Sequence, residues 1–168
     1  MQPGYLRQPG AILLLSCYEL GHQPQGLAWP AAFLERAGFS PRMVDLPVQG
    51  LDEASVAQAR FVGISVPMHT ALRLGARAGR RIRQINRDCS ICFYGLYASL
   101  NAGYLLDTLS DYVVGGEYEE ALVGLVEALD GGSEVAPSGV ARRGAPAAGF
   151  LGRLRFPPPL RSGLAPLG

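Results

Sequence analysis

The chain contains no lysine: all fifteen of its basic residues are arginines, set against fourteen acidic ones for a net formal charge of +1. A balance so near neutral exerts no general pull toward nucleic acid or an anionic membrane surface, and the missing lysine reads as coding bias. Cysteine is scarce. Cys17, Cys89 and Cys92 are an odd number with no secreted spacing pattern, which argues against a disulfide framework and for a reducing, cytoplasmic location. Long apolar runs are also wanting. The stretch 11–15 is far shorter than the roughly 20 residues a membrane span needs, and neither a basic region nor a cleavage site flanks it, so a soluble chain without a membrane partner is expected. Neither G-x-G-x-x-G nor G-x-x-x-x-G-K-S/T occurs, which excludes the common dinucleotide fingerprint and the phosphate loop. Disorder throughout is excluded by a composition 48% hydrophobic and only 17% charged. A chain of 168 residues suits one globular domain with some extra, able to bury about two thirds of its unfolded surface without staples.

What is present is a regular alternation. Apolar runs bounded by turn residues, at 11–16, 42–46, 61–65, 91–95 and 112–115, read as five buried strands. Helical patterns fall between and after them at 27–37, 52–59, 71–85, 98–109 and 117–129. Thr70 is placed to cap the third helix and Ser99 or Asn101 the fourth, while Gly38 closes the first. Pro30, early in the first helix, should kink its opening turns or push its start later. Near-continuous apolar strands joined by helices predict a parallel sheet covered on both faces, with right-handed crossovers. The expected fold is therefore α/β, a flavodoxin-like, Rossmann-like doubly wound domain of five parallel strands in the order 2-1-3-4-5. After residue 129 the composition turns to Gly, Pro, Ala and Ser without usable periodicity, so the organisation expected is a domain over 9–130 and a flexible linker or tail over 131–168.

In such a fold ligands bind outside the carboxyl ends of the strands, where strand order reverses. That nominates the loops 16–26, 65–70, 95–98 and 115–117, the first of them longer than the roughly 2–6 residues usual for a strand-to-helix connection. A phosphoacceptor reading fails on residue type, because Ser65 stands where an Asp would be needed. Ser65 offers hydrogen-bonding capacity at the crevice, and Gly95, Gly115 and Gly116 allow a flat or bulky ligand to approach the backbone. Several other residues have plainer readings. His22 and His69 sit at the mouth, though a His beside a helix start often only caps or packs. Cys89 and Cys92 have C-x-x-C spacing but enter a strand at its amino end, away from the mouth, and read as buried small hydrophobes; packing also accounts for Cys17. Glu119 and Glu120 are explained by the helix macrodipole, which leaves Glu117 as the carboxylate to test against a ligand. Arg73, Arg77, Arg80, Arg81 and Arg83 lie largely on one side of the third helix and, with no aromatic residues interleaved, read as a solvated face rather than a nucleic-acid stripe.

At the mouth residues the chain resembles the N-terminal cobalamin-binding domains of B12-dependent radical SAM enzymes. Asp111-Tyr112-Val113-Val114-Gly115-Gly116-Glu117-Tyr118-Glu119 is similar to that family's D-Y-V/I-V/I-x-G-E-x-E signature, and Phe93-Tyr94-Gly95 to its fourth-strand glycine turn. Ser65-Val66-Pro67 sits where related B12 domains carry S-x-L, whose Ser approaches the dimethylbenzimidazole tail, and 156–164 resembles the connector ahead of the barrel. The resemblance covers about residues 9 to 130. It implies that cobalamin, a cobalt cofactor, is held by Gln23, Gly26, Ser65, Val66, Pro67, His69, Gly95, Leu96, Tyr97, Gly115, Gly116 and Glu117.

There are two departures. The D-x-H-x-x-G motif of methionine-synthase-like domains falls on Gly21-His22-Gln23-Pro24-Gln25-Gly26, with Gln23 at the His position. An amide replaces imidazole poorly on cobalt, so cobalamin is expected base-off without a His lower ligand, with His22 able to ligate only if the loop shifts. The cluster motif C-x3-C-x2-C is absent. Any S-adenosylmethionine and iron–sulfur cluster would then belong to a barrel in a longer chain or a separate protein. The expected function is a methyl-carrying cobalamin module, not catalytic alone, within a methyltransferase-like radical SAM system. The rival expectation, from another class, is a B12-fold domain without cofactor that serves as an interaction or scaffold unit.

Overall fold

The computed structural model describes residues 4–19, 22–133, 135–164 and 166. Its central strands are β1 (Ile12–Ser16), β2 (Arg42–Asp45), β3 (Phe61–Ser65), β4 (Ser90–Tyr94) and β5 (Tyr112–Val114), all parallel where they pair. Every residue of β1 and β3 is buried, as apolar runs without polar alternation require, and their order is 2-1-3-4-5 as expected. Between and after them lie α1 (Gln25–Arg36), α2 (Leu46–Gln49), α3 (Glu53–Gln58), α4 (His69–Ile85), α5 (Leu96–Leu100), α6 (Ala102–Thr108) and α7 (Tyr118–Asp130).

The period-two alternation of side chains divides the core into two layers. Leu13, Leu15, Val62, Ile64, Ile91 and Phe93 meet Val56 of α3, Ala71 and Ile82 of α4 and Leu105 of α6. On the other face Ile12, Leu14, Phe61, Cys92 and Tyr94 meet Leu27, Ala31 and Leu34 of α1 and Leu122, Leu125 and Val126 of α7. Burying each large aliphatic side chain stabilises the fold by roughly 1.5–3 kcal/mol. Asn86, at the end of α4, closes the first layer by donating from Nδ2 to the carbonyls of Val56 and Ala59 at 2.9 and 2.8 Å. Among the described residues no helix is long and apolar enough to cross a membrane.

Several expectations need correction. The sheet has six strands rather than five among the described residues: β6 (Val140–Arg142) pairs antiparallel with β5. It comes from the segment expected as linker or tail, which then runs back to α1, where the Leu160 N–H bonds the Ala28 carbonyl at 2.9 Å. The fourth helical pattern is two short helices, α5 and α6, meeting at Asn101, which stands at the N-cap of α6 as expected but turns its Nδ2 to the Tyr97 carbonyl and makes no side-chain capping bond. Thr70 lies inside α4, whose N-cap is Met68.

Helix α1 begins at Gln25, two positions before its expected start, and runs through Pro30. Proline has no N–H for the Gly26 carbonyl one turn back. The Tyr94 hydroxyl, arriving from β4, donates to that carbonyl at 2.6 Å and supplies the lost bond. At the other end Gly38, at φ +84°, closes the helix as expected: its N–H bonds the Glu35 carbonyl at 2.9 Å and the Phe39 N–H bonds the Leu34 carbonyl at 3.0 Å.

Candidate functional site

At the carboxyl edge of the sheet, where β1 and β3 lead away in opposite directions, lies a cleft of about 460 Å³. The loop after β1 and the first turn of α1 contribute Glu19, Gln25, Gly26 and Trp29; the tips of β3 and β4 contribute Ser65, Pro67, Gly95 and Leu96. Gly116, Glu117, Tyr118 and Glu119 enter from the start of α7, and Phe156 from the C-terminal segment. A recess of similar volume, about 470 Å³, lies beside Ser110, Tyr112, Arg142 and Arg143 around the start of β5 and contains none of the predicted site residues.

Close approach shapes the floor of the cleft. A Cβ on Gly26 would collide with Ser65 Oγ, so α1 can begin at this distance from β3 only with glycine there. Ser65 is itself hydrogen-bonded to the Tyr94 hydroxyl, and since that hydroxyl gives its proton to Gly26, the Ser65 hydroxyl is the donor. The chain Ser65–Tyr94–Gly26 thus ties the tips of β3 and β4 to α1. Gly95, at φ +107°, turns the backbone from β4 into α5, with its missing Cβ 3.0 Å from the Val66 carbonyl oxygen.

The electrostatics are acidic. Glu119 is buried, its Oε2 finds no partner among the described residues, and burial raises its carboxyl pKa above the ordinary range. Glu19 is raised first by burial and then by Asp45, and Asp45 by burial. Burial likewise pushes Tyr118 and Tyr94 upward; their rings pack 5.0 Å apart. Cys17, beneath the loop, is pushed up to about 12 by burial with a contribution from Asp45. Among the described residues no group of three or more His, Cys, Asp or Glu is arranged to hold a metal ion.

Of the twelve predicted site residues, Gly26, Ser65, Pro67, Gly95, Leu96, Gly116 and Glu117 line the cleft. The others lie apart from its lining. Val66 is buried in the core. Gly115 is also buried, with a Cβ there lying 2.5 Å from Ser99 Oγ. His69 opens α4 and packs edge-on against Tyr97, centroids 6.4 Å apart. Gln23 accepts a 2.8 Å hydrogen bond at Oε1 from Arg161. His22 is exposed and near enough to Glu19 to affect its charge, while Gly21, at the Asp position of D-x-H-x-x-G, lies outside the described residues. Part of the glycine rim is covered: Phe150 lies against Gly116, and the Glu117 N–H bonds the Phe150 carbonyl at 2.7 Å.

Asp111, first in the D-Y signature, sits away from the mouth. It accepts from the Ile91 N–H at 2.8 Å and pairs with Arg83 at 2.7 Å, fastening β4 to β5. The neighbouring arginines are engaged too, Arg80 with the Tyr104 hydroxyl at 2.9 Å and Arg81 with Glu53, as suits a solvated face. Outside the nominated loops, sequence reasoning missed Trp29, Tyr118, Glu119 and Phe156. Glu119 had a signal in the second acid of G-E-x-E, and Trp29 in its place one turn past Gln25; Phe156 had none.

The family model for the B12 binding domain matches residues 12–126. Among solved structures the chain is similar to the radical S-adenosylmethionine methyltransferase TsrM from Kitasatospora setae with tryptophan substrate and the analogue aza-SAM bound. That match has a TM-score of 0.69 at 21% identity, over 82% of this chain and 30% of that one. The same enzyme with cobalamin and a 4Fe–4S cluster bound matches with a TM-score of 0.66 at 20% identity, over 80% and 29%. At such identity the likeness is one of fold, and the chain spans about 30% of the length of these enzymes. A comparison with curated proteins gives no match.

Proposed function

The chain belongs to the B12-binding domain family, and from that premise we propose that it holds cobalamin as the methyl-carrying module of a B12-dependent radical SAM system. The barrel bearing S-adenosylmethionine and the iron–sulfur cluster would lie in a longer chain or a separate protein. The observation that carries this reading is the cleft at the β1/β3 reversal, of a size for the nucleotide tail of a corrinoid rather than for the whole molecule. Its residues fit such a guest: the side-chain-free Gly26 and Gly95 stand in the lining, and the buried Glu119 Oε2 is an orphan polar atom among the described residues. When bound, cobalamin supplies a cobalt centre for methyl transfer.

The protein's own part is binding and orientation. Ser65, whose hydroxyl donates a hydrogen bond to Tyr94, presents lone pairs to a donor on the ligand. The Glu119 carboxyl, its pKa raised by burial, offers Oε2 to an amide on the ligand. Pro67, Leu96 and Glu117 complete the lining. Gln23 holds the position of the missing imidazole, and its Oε1 is taken by Arg161. With no imidazole at that position, cobalamin would be held base-off without a His lower ligand.

Incubation with hydroxocobalamin, desalting and a visible spectrum test the proposal. The expected result is a coloured protein whose reduced cobalt(II) form shows no imidazole nitrogen splitting in its paramagnetic resonance spectrum. Ser65→Leu, with folding checked by circular dichroism, should abolish retention; undiminished retention would place the cofactor elsewhere. A colourless wild-type protein would favour the rival reading as a cofactor-free interaction unit. One observation favours that rival, namely that Phe150 already covers part of the glycine rim.

A further inference from the structure

Resting on the cobalamin reading, we propose that Trp29 and Phe156 form an aromatic wall that selects a planar bicyclic base on the nucleotide tail, making the C-terminal segment part of the binding site. Trp29 is the sole tryptophan, and it lines the cleft while Leu27, Ala28, Ala31 and Leu34 of the same helix fill the core. Phe156 is set against it edge-on, with centroids 5.1 Å apart at 60°, and is backed by Phe33 at 5.6 Å. Three bonds hold the segment on either side of that ring. Glu117 N–H reaches the Phe150 carbonyl at 2.7 Å, Leu160 N–H the Ala28 carbonyl at 2.9 Å, and Arg161 the Gln23 side chain at 2.8 Å.

Phe156 nevertheless remains 42% exposed, so a ring pinned this firmly still offers apolar surface. The charges in the cleft say which part of a ligand that surface suits. Glu19, Glu117 and Glu119 line it and no arginine does, so it suits the uncharged flat base of the tail, whose phosphodiester is left outside the cleft. A benzimidazole or purine base has that chemistry.

The test compares corrinoids with the same ring system and different tails on the full chain. Retention after desalting is measured for cobalamin and for cobinamide, which lacks the nucleotide, and Trp29 emission is followed while free 5,6-dimethylbenzimidazole is added. Wild type should hold cobalamin at least about tenfold more tightly than cobinamide, as stacking on aromatic side chains allows. Its emission should change with the free base. Phe156→Ala and Trp29→Leu should bring cobalamin down toward the cobinamide level and leave cobinamide unchanged. Phe156→Leu, which keeps apolar bulk, should lose the same discrimination with an unaltered circular dichroism spectrum. Equal loss of both corrinoids in that folded variant, or undiminished discrimination, overturns the wall while leaving cobalamin binding intact. A wild type that holds neither corrinoid overturns the cobalamin reading, and the wall with it.

Discussion

Glu119 and Gly26 carry opposite kinds of strain on the same cleft. Burial raises the Glu119 carboxyl, so the folded chain binds that proton more tightly than the unfolded chain does. Stability from such a group is fully present below the ordinary carboxyl value of about 4.3 and is lost as pH rises through the raised folded value. Glu19 and Asp45, also raised by burial, act in the same direction. The ligand-free domain should therefore lose stability from mildly acidic to neutral pH, and Glu119→Gln should flatten that slope. Urea midpoints across the range measure it, and a variant with the wild-type slope would show that Glu119 stays ionised. For Gly26 the strain is steric. Gly26→Ala drives a methyl into Ser65 Oγ and should cost roughly 1–3 kcal/mol. Adding Ser65→Ala removes the oxygen and leaves a Cβ contact near 3.3 Å, so most of the loss should return. Chemical denaturation of the two single variants and the double variant decides this, with simple additivity as the adverse result.

Helix α1 depends on a side chain from another element. Pro30 leaves the Gly26 carbonyl without its intrahelical donor, and Tyr94 of β4 takes over at 2.6 Å. Tyr94→Phe should then cost roughly 1–2 kcal/mol by orphaning that carbonyl. In a Pro30→Ala background the backbone N–H is restored and the same change should cost clearly less. A thermodynamic cycle on these two positions measures the coupling; a coupling indistinguishable from zero would mean that Tyr94 does not substitute for the missing bond. The same bond explains why proline neither delays nor displaces the start of the helix. Its local effect is real, but the compensation comes from a strand 68 residues away.

Across the whole molecule, Cys17, Cys89 and Cys92 are free and buried, and burial raises the pKa of each thiol. Native protein should give almost no rapid reaction with a thiol reagent and three equivalents after unfolding; fast labelling of even one thiol in the native state would contradict this packing. Burial of the cysteines is legible from the hydrophobic character of a free thiol at the end of or within a strand, and the strands from their apolar runs. The run 61–65 became β3 without adjustment, because five consecutive small or apolar residues between turn formers can be satisfied only inside a sheet. Glu119 shows where such reasoning ended. A macrodipole argument uses only its own helix, whereas its burial depends on the tyrosines and the sheet edge that α7 meets. Phe156 gave no signal for a like reason: its partners Trp29 and Phe33 are distant in the chain, and the nearby Arg161–Gln23 bond spans 138 residues.

The amino-acid order by itself determined the alternation of strands and helices, the strand order and the glycines at the strand tips, since hydrophobic period and turn chemistry act over a few residues. Tertiary structure alone decided that Tyr94 repairs α1, that Asp111 fastens strands, that Glu119 is buried at the cleft, and that a sixth strand and Phe156 return from the C-terminal segment. Those outcomes rest on side chains that meet only after packing has brought distant segments together, and no local periodicity encodes such a meeting.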